Sequence, residues 1–288
     1  MKFAVDVPNH GEYSDPDLLL ELAKDAEIAG WDGFFIWDHI LKYQDHRISV
    51  ADPWIVLSAI AATTGRLRIG PMVTPLARRR PWKVARETVT LDHLSGGRLI
   101  FGVGLGARSR AEFGRFGDEE DPKVRGEMLD EGLQVLDRLW KGEPFTYQGD
   151  HYQVSETTFV PPPVQSPRIP VWVAGTWPNK KPFRRAARWD GAFPLMVEHL
   201  FADMMPANQI QEAAAFLRAC RGDDRPFDLV HLGITPGIDP DVDAQIVQPY
   251  RQAGVTWWLE NINPIRGSLA EMRKRIISGP PKKKEAVS

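Results

Sequence analysis

Residues 67–106 read LRIGPMVTPLARRRPWKVARETVTLDHLSGGRLIFGVGLG, and this stretch decides the fold. Its apolar run at 67–73 has the length of a buried strand. Pro81 then opens a helix that continues to about residue 94, and the turn Ser95-Gly96-Gly97 ends it. A second apolar run, 98–104, follows at once. Strand, helix and strand in this order make a parallel βαβ unit.

Working outward, the same alternation recurs. FAVDV (3–7), GFFIWD (33–38), VWVAG (171–175), DGAFPLM (190–196), LVHLGIT (229–235) and VTWWLE (255–260) read as further strands. Asp15 as N-cap, Pro16 in the first turn and Gly30 past the end bracket a helix. Asp52-Pro53 opens another, to residue 62. Helices are also predicted at about 123–141, 183–188, 201–220, 242–253 and 269–277. Eight strands, each followed by a helix, predict an α/β fold of the (β/α)8 barrel type, a TIM barrel, whose usual size is about 250 residues. It occupies residues 1–278, with an insertion at about 105–170 after the fourth strand and a charged, disordered tail at 279–288. The rival is an open doubly wound sheet. That arrangement would carry a glycine-rich loop after its first strand, where this chain has VPNHG.

Composition excludes several functions. The 288 residues carry 36 Lys and Arg against 38 Asp and Glu, a net charge of −2, so the basic footprint of a nucleic-acid or membrane-surface protein is missing. One cysteine, Cys220, cannot form an intramolecular disulfide or a cysteine-rich metal site. No apolar run approaches the roughly 18 residues of a membrane span, and the N-terminal apolar stretch is too short for a signal peptide. The expectation is a soluble, cytoplasmic protein.

In a barrel, chemistry sits just past the carboxyl ends of the strands. Those positions hold Asn9 and His10, Asp38 and His39, Thr74, Gly106, Gly175 to Trp177, Pro194 to Met196, and Glu260. No HxH, HExxH or paired cysteine suggests zinc, and no GxSxG suggests acyl transfer. GVGLG (102–106) lacks the spacing of a dinucleotide fingerprint.

These residues carry a resemblance. GWDGFFIWDHI (30–40), the run from Thr74 to Gly106, LDEGLQVLDRLWKGEPFTYQGDHYQV (129–154), the run from Pro161 to Pro194 and GVTWWLE (254–260) are similar, in order and spacing, to the bacterial-luciferase-like flavin- and deazaflavin-dependent oxidoreductases. The resemblance implies a noncovalently bound reduced FMN, or alternatively F420, with a small-molecule substrate, a separate reductase and a homodimer. It implies that His39 transfers protons with Asp38 orienting it. It further assigns Pro71, Met72, Val73 and Thr74 to a strand-three bulge that supports the ring, Gly104 and Gly106 to its edge, and Ala174, Gly175, Thr176 and Trp177 to a phosphate turn. His10, Trp37 and Glu260 are expected at the substrate. Arg78, Arg79 and Arg80 either steer an anion or form salt bridges. Two other classes stay open: a noncatalytic flavin-binding barrel, and a metal-dependent hydrolase built on His10, His39 and Glu260.

Overall fold

The computed structural model describes residues 1–42, 47–106, 109–196 and 203–281. The expected helix start at Phe201 and the tail beyond 281 lie outside them. The chain opens with β1 (Lys2–Val7), α1 (Pro16–Ile28), β2 (Gly33–Ile36), α2 (Pro53–Thr63), β3 (Arg68–Pro71), β4 (Thr74–Pro75), α3 (Pro81–Ser95) and β5 (Phe101–Gly104). The insertion follows: α4 (Ser109–Glu112), α5 (Pro122–Trp140), and an antiparallel hairpin of β6 (Phe145–Gln148) and β7 (Gln153–Thr157) that the sequence reading did not anticipate. The second half is β8 (Val171–Trp177), α6 (Lys180–Ala186), β9 (Gly191–Met196), α7 (Ala207–Arg221), β10 (Asp228–Gly233), α8 (Pro240–Gln252), β11 (Trp257–Asn261) and α9 (Leu269–Ile277).

The large sheet is parallel and runs β3-β2-β1-β11-β10-β9-β8-β5-β4. Its two ends, β3 and β4, are halves of one strand interrupted at Met72-Val73, whose peptide bond is cis. A bridge from Ile69 to Leu99 joins β3 to the approach of β5, so the sheet returns on itself as an eight-stranded barrel.

Capping chemistry repeats along the chain. Asp15, Asp52, Asp121 and Asp239 each precede a proline, and each carboxylate accepts a hydrogen bond from a first-turn N–H of α1, α2, α5 or α8. The aspartate satisfies an orphan donor and offsets the helix dipole, while proline fixes φ where no hydrogen bond is lost.

Alternation along each strand divides two cores. Phe3, Val5 and Val7 face the helices, whereas Ala4, Phe35, Met72, Ile100, Trp172, Ala174, Phe193, Val230, Trp257 and Leu259 fill the barrel. Glycines permit the closest approaches. A Cβ on Gly70 would lie 1.9 Å from the Ile100 carbonyl oxygen, and one on Gly102 would lie 2.3 Å from that of Pro71. Among the described residues no helix is long and apolar enough to cross a membrane.

Candidate active site

The carboxyl ends of β1 and β2 carry a cluster of polar and aromatic groups at the mouth. His10, Trp37 and His39 form a triangle with ring centroids about 6 Å apart (5.9, 6.0 and 6.0 Å). Asn9, fully buried, holds His39 by its backbone: its Nδ2 donates to the His39 carbonyl at 2.7 Å and to that of Ala51 at 2.8 Å, and its Oδ1 accepts from the His39 N–H at 3.4 Å.

The carboxylate on His39 is not Asp38. His39 Nδ1 lies 3.0 Å from Oε2 of Glu112, which descends from α4 in the insertion. The other oxygen of Glu112 accepts from the Ile40 N–H at 2.8 Å and lies 3.6 Å from Arg78 Nη1. Burial alone would push the Glu112 carboxyl up, but His39, the Ile40 N–H and Arg78 together hold it below the usual carboxylate range. The imidazole therefore has an ionised partner that fixes its ring, while its side chain keeps 19 % exposure to the mouth.

Asp38 is turned into the protein. It accepts from Thr74 Oγ1 at 2.7 Å, Trp54 Nε1 at 3.3 Å, Arg78 Nη2 at 3.0 Å and Arg79 Nη2 at 3.1 Å. Glu112, and not Asp38, is thus the carboxylate in contact with the His39 ring, and two of the three consecutive arginines are engaged with Asp38. Two guanidiniums on one buried carboxylate lock β4 and the turn after β2 together.

His10 completes the rim. Its Nε2 lies 2.8 Å from Lys42 Nζ, so the ring is a neutral acceptor for the ammonium. Burial, then the charges of Lys42 and His39, push its pKa down to about 4.

Apolar residues also reach the mouth. Val73, Leu195 and Leu232 cap the inner core but remain partly exposed. Met72 and Val73 both join that core although they are adjacent in sequence, because the chain bulges between β3 and β4. Gly104 faces this floor, and a Cβ there would fall 2.9 Å from Val73 Cγ2 and 3.5 Å from the Ala174 Cβ. Gly106 has φ +78° and packs on Pro75 and Phe113, so it shapes the exit from β5.

Three expected contacts are corrected by strand parity. Trp257 and Leu259 point into the barrel, so Glu260 points out, fully buried, where it accepts from Thr235 N–H at 2.9 Å, Arg266 at 2.8 Å and Arg275 at 3.3 Å. It touches neither His10 nor His39, which removes the acidic ligand of the expected metal triad. Trp177 also faces the helices, packing on Phe183 at 5.0 Å beneath the Lys180 ammonium. Gly175 lies on that outer side too. A Cβ there would meet Pro182 at 2.4 Å, so the glycine serves the docking of α6. The strand runs on to Trp177 instead of ending at 175, and of the expected phosphate turn only Ala174 and Thr176 have inward parity.

An open cleft of about 730 Å3 lies at the other end of the barrel, lined by Lys2, Glu27, Trp31, Asp32, Arg66 and Arg68. Its charges are occupied with structure: Glu27 accepts from the N–H groups of Gly65, Arg66 and Leu67, and Arg68 donates to the Gly97 and Leu99 carbonyls.

The family pattern described as luciferase-like monooxygenase matches residues 1–230. The chain belongs to that family. Among curated relatives, this luciferase-like protein is 32% identical over 171 residues to the F420-dependent glucose-6-phosphate dehydrogenase of Microbacterium testaceum, covering 58% of this chain and 49% of the relative. It is 29% identical over 167 residues to the oxygenase component of the flavin-dependent trigonelline monooxygenase of Acinetobacter baylyi, covering 58% and 45%. Each match spans about half of the relative's length. The luciferase-like barrel also superimposes on an F420-dependent secondary alcohol dehydrogenase bound to an F420-acetone adduct, with TM-score 0.79, 17% identity and 99% of both chains covered. The oxygenating constituent of 3,6-diketocamphane monooxygenase from Pseudomonas putida, in complex with FMN, gives TM-score 0.75 at 16% identity, again over 99% of both chains. These likenesses establish the barrel.

Proposed function

We propose that the chain is an oxidoreductase that uses a reduced flavin or deazaflavin, FMN or F420, at the mouth of the barrel to transform a small organic substrate. The observation that carries this reading is the His39–Glu112 pair, 3.0 Å apart, at the mouth of a barrel whose inner core ends in partly exposed apolar residues. A flat tricyclic ring fits that floor: Val73, Ala174, Leu195 and Leu232 offer an apolar face, and Gly104 leaves a gap that a side chain would close. Ala174 and Thr176 are the residues of β8 available to the ring side. When bound, the reduced ring supplies two electrons, as hydride or toward oxygen.

The protein's own part is proton handling. With Nδ1 held by Glu112, Nε2 of His39 is the atom that gives or takes a proton, and general acid–base help of this kind is worth about 10²–10⁴-fold. Trp37 and His10 bound the substrate side. FMN is favoured by the engagement of Arg78 and Arg79 with Asp38, which leaves them unavailable to the acidic tail of F420. The F420-dependent names among the relatives favour the deazaflavin. With FMN, a separate reductase would supply the reduced cofactor. A homodimer through α2 completes the proposal, because that helix is apolar on its outer side as well, with Ile55 73 % exposed.

Fluorescence titration of the purified protein with FMN and with F420, followed by turnover of the reduced complex on an alcohol and ketone panel, tests the reading. Tight binding of one cofactor is expected. Binding of neither would overturn it.

A further inference from the structure

Two peptide planes aim the His39 side chain, and each of their four polar atoms has a partner. In the plane before it, the Asp38 carbonyl accepts from Arg78 Nη2 at 2.9 Å and the His39 N–H donates to Asn9 Oδ1 at 3.4 Å. In the plane after it, the His39 carbonyl accepts from Asn9 Nδ2 at 2.7 Å and the Ile40 N–H donates to Glu112 Oε1 at 2.8 Å. Asn9 thus supplies one partner to each plane. It is a group that the proton handling described above does not use.

The ladder explains why a side chain takes this place. The Trp37 N–H closes the pairing of β1 with β2 on the Val7 carbonyl at 3.0 Å. Two residues further on, His39 takes its partners from a side-chain amide, which offers a donor and an acceptor as a peptide group would. The second N–H of that amide is also used, on the Ala51 carbonyl at 2.8 Å. Only asparagine combines this reach with two donors and an acceptor: aspartate has no donor when ionised, and leucine has neither group. The amide is itself held in place. Asn9 is fully buried, its own carbonyl accepts from the Ala51 N–H at 2.8 Å, and the next residue, His10, forms a bridge with Val50.

We propose that Asn9 is the positioning residue of His39: its amide fixes the two planes that set the Cα–Cβ direction, so that Nδ1 meets Glu112 and Nε2 is left to move the proton. The proposal rests on the reading of His39 as the proton-handling group of an oxidoreductase. Without the amide, one atom of each plane loses its partner, and the ring can leave the carboxylate.

Nitrogen-15 NMR of protein labelled in its histidine rings tests this at about pH 8.5, where an ordinary imidazole is neutral. His39→Asn assigns the His39 signals, and Glu112→Leu shows the ring without its carboxylate. In the wild type the ring hydrogen of His39 should sit on Nδ1. Asn9→Leu and Asn9→Ala should lose that preference and match Glu112→Leu, and in the Glu112→Leu background they should move the signals no further. Turnover should fall about tenfold or more, with cofactor affinity within several-fold. A residue that served stability alone would lower the melting temperature and leave the tautomer as it was. A wild-type hydrogen on Nε2, Asn9 variants that keep it on Nδ1, or turnover unchanged in them would overturn the proposal. Should Asn9→Leu fail to fold, Asn9→Ala, which leaves room for water at the two carbonyls, decides; if neither folds, Asn9 belongs to the fold at large and the proposal falls. FMN and F420 titrations of the same preparations separate the two readings. Cofactor binding with an unmoved tautomer removes the role of Asn9 only, whereas a lost tautomer with neither cofactor bound removes the oxidoreductase reading only.

Discussion

Replacing His10 by glutamine probes the rim of the mouth without touching His39. Glutamine can still accept from Lys42 through its amide oxygen but has no proton to gain. In the wild type, burial, Lys42 and His39 depress the imidazole from 6.5 to about 4. The folded state binds this proton less readily than the unfolded chain. The stability that neutral His10 confers is accordingly complete above pH 6.5 and is lost as pH falls from 6.5 toward 4. At about 1.4 kcal/mol per pH unit, the loss across that window reaches about 3 kcal/mol. Urea unfolding at half-unit steps between pH 7.5 and 4 measures it as the difference between the wild type and His10→Gln, so that every other titrating group cancels. The difference should shift against the wild type by about 2–3 kcal/mol on acidification, most steeply near pH 5. A difference that stays flat refutes the argument: His10 would then be hydrated, and Lys42 would not depend on it.

Three further outcomes follow from the geometry. Glu112→Gln should lower steady-state turnover about 10–100-fold, short of the roughly 10²-fold or greater loss in His39→Asn, with cofactor affinity by fluorescence within several-fold in both. Gly104→Val places a branched side chain where even a Cβ would sit 2.9 Å from Val73, so cofactor affinity should fall at least about tenfold while the circular dichroism spectrum stays unchanged. Asp38→Asn leaves the guanidiniums of Arg78 and Arg79 in a buried site without their shared counter-charge, and denaturant unfolding should report a loss of about 3–5 kcal/mol.

The order of strands and helices around the barrel is a local property and is legible in the sequence, whereas the β6–β7 hairpin of the insertion is not. The apolar runs at 3–7, 33–38 and 67–73 become β1, β2 and the β3–β4 strand, and Asp15-Pro16 and Asp52-Pro53 mark helix starts because capping involves only neighbours within one turn. The position of His39 at the mouth follows from the end of β2 in the same way. The direction of Glu260 did not, because strands covered by helices outside and packed side chains inside are apolar on both faces and lose the alternation that would reveal parity. Gly175 shows the same limit: its need for space comes from Pro182 across the layer, not from a phosphate. The partner of His39 was further from reach. Glu112 lies 73 positions away, in the insertion, and only the path of α4 over the barrel brings it to the imidazole, while Arg78 and Arg79 draw the adjacent Asp38 inward. Charge pairing across such distances depends on which groups folding leaves without water, and that is decided by the closed barrel as a whole.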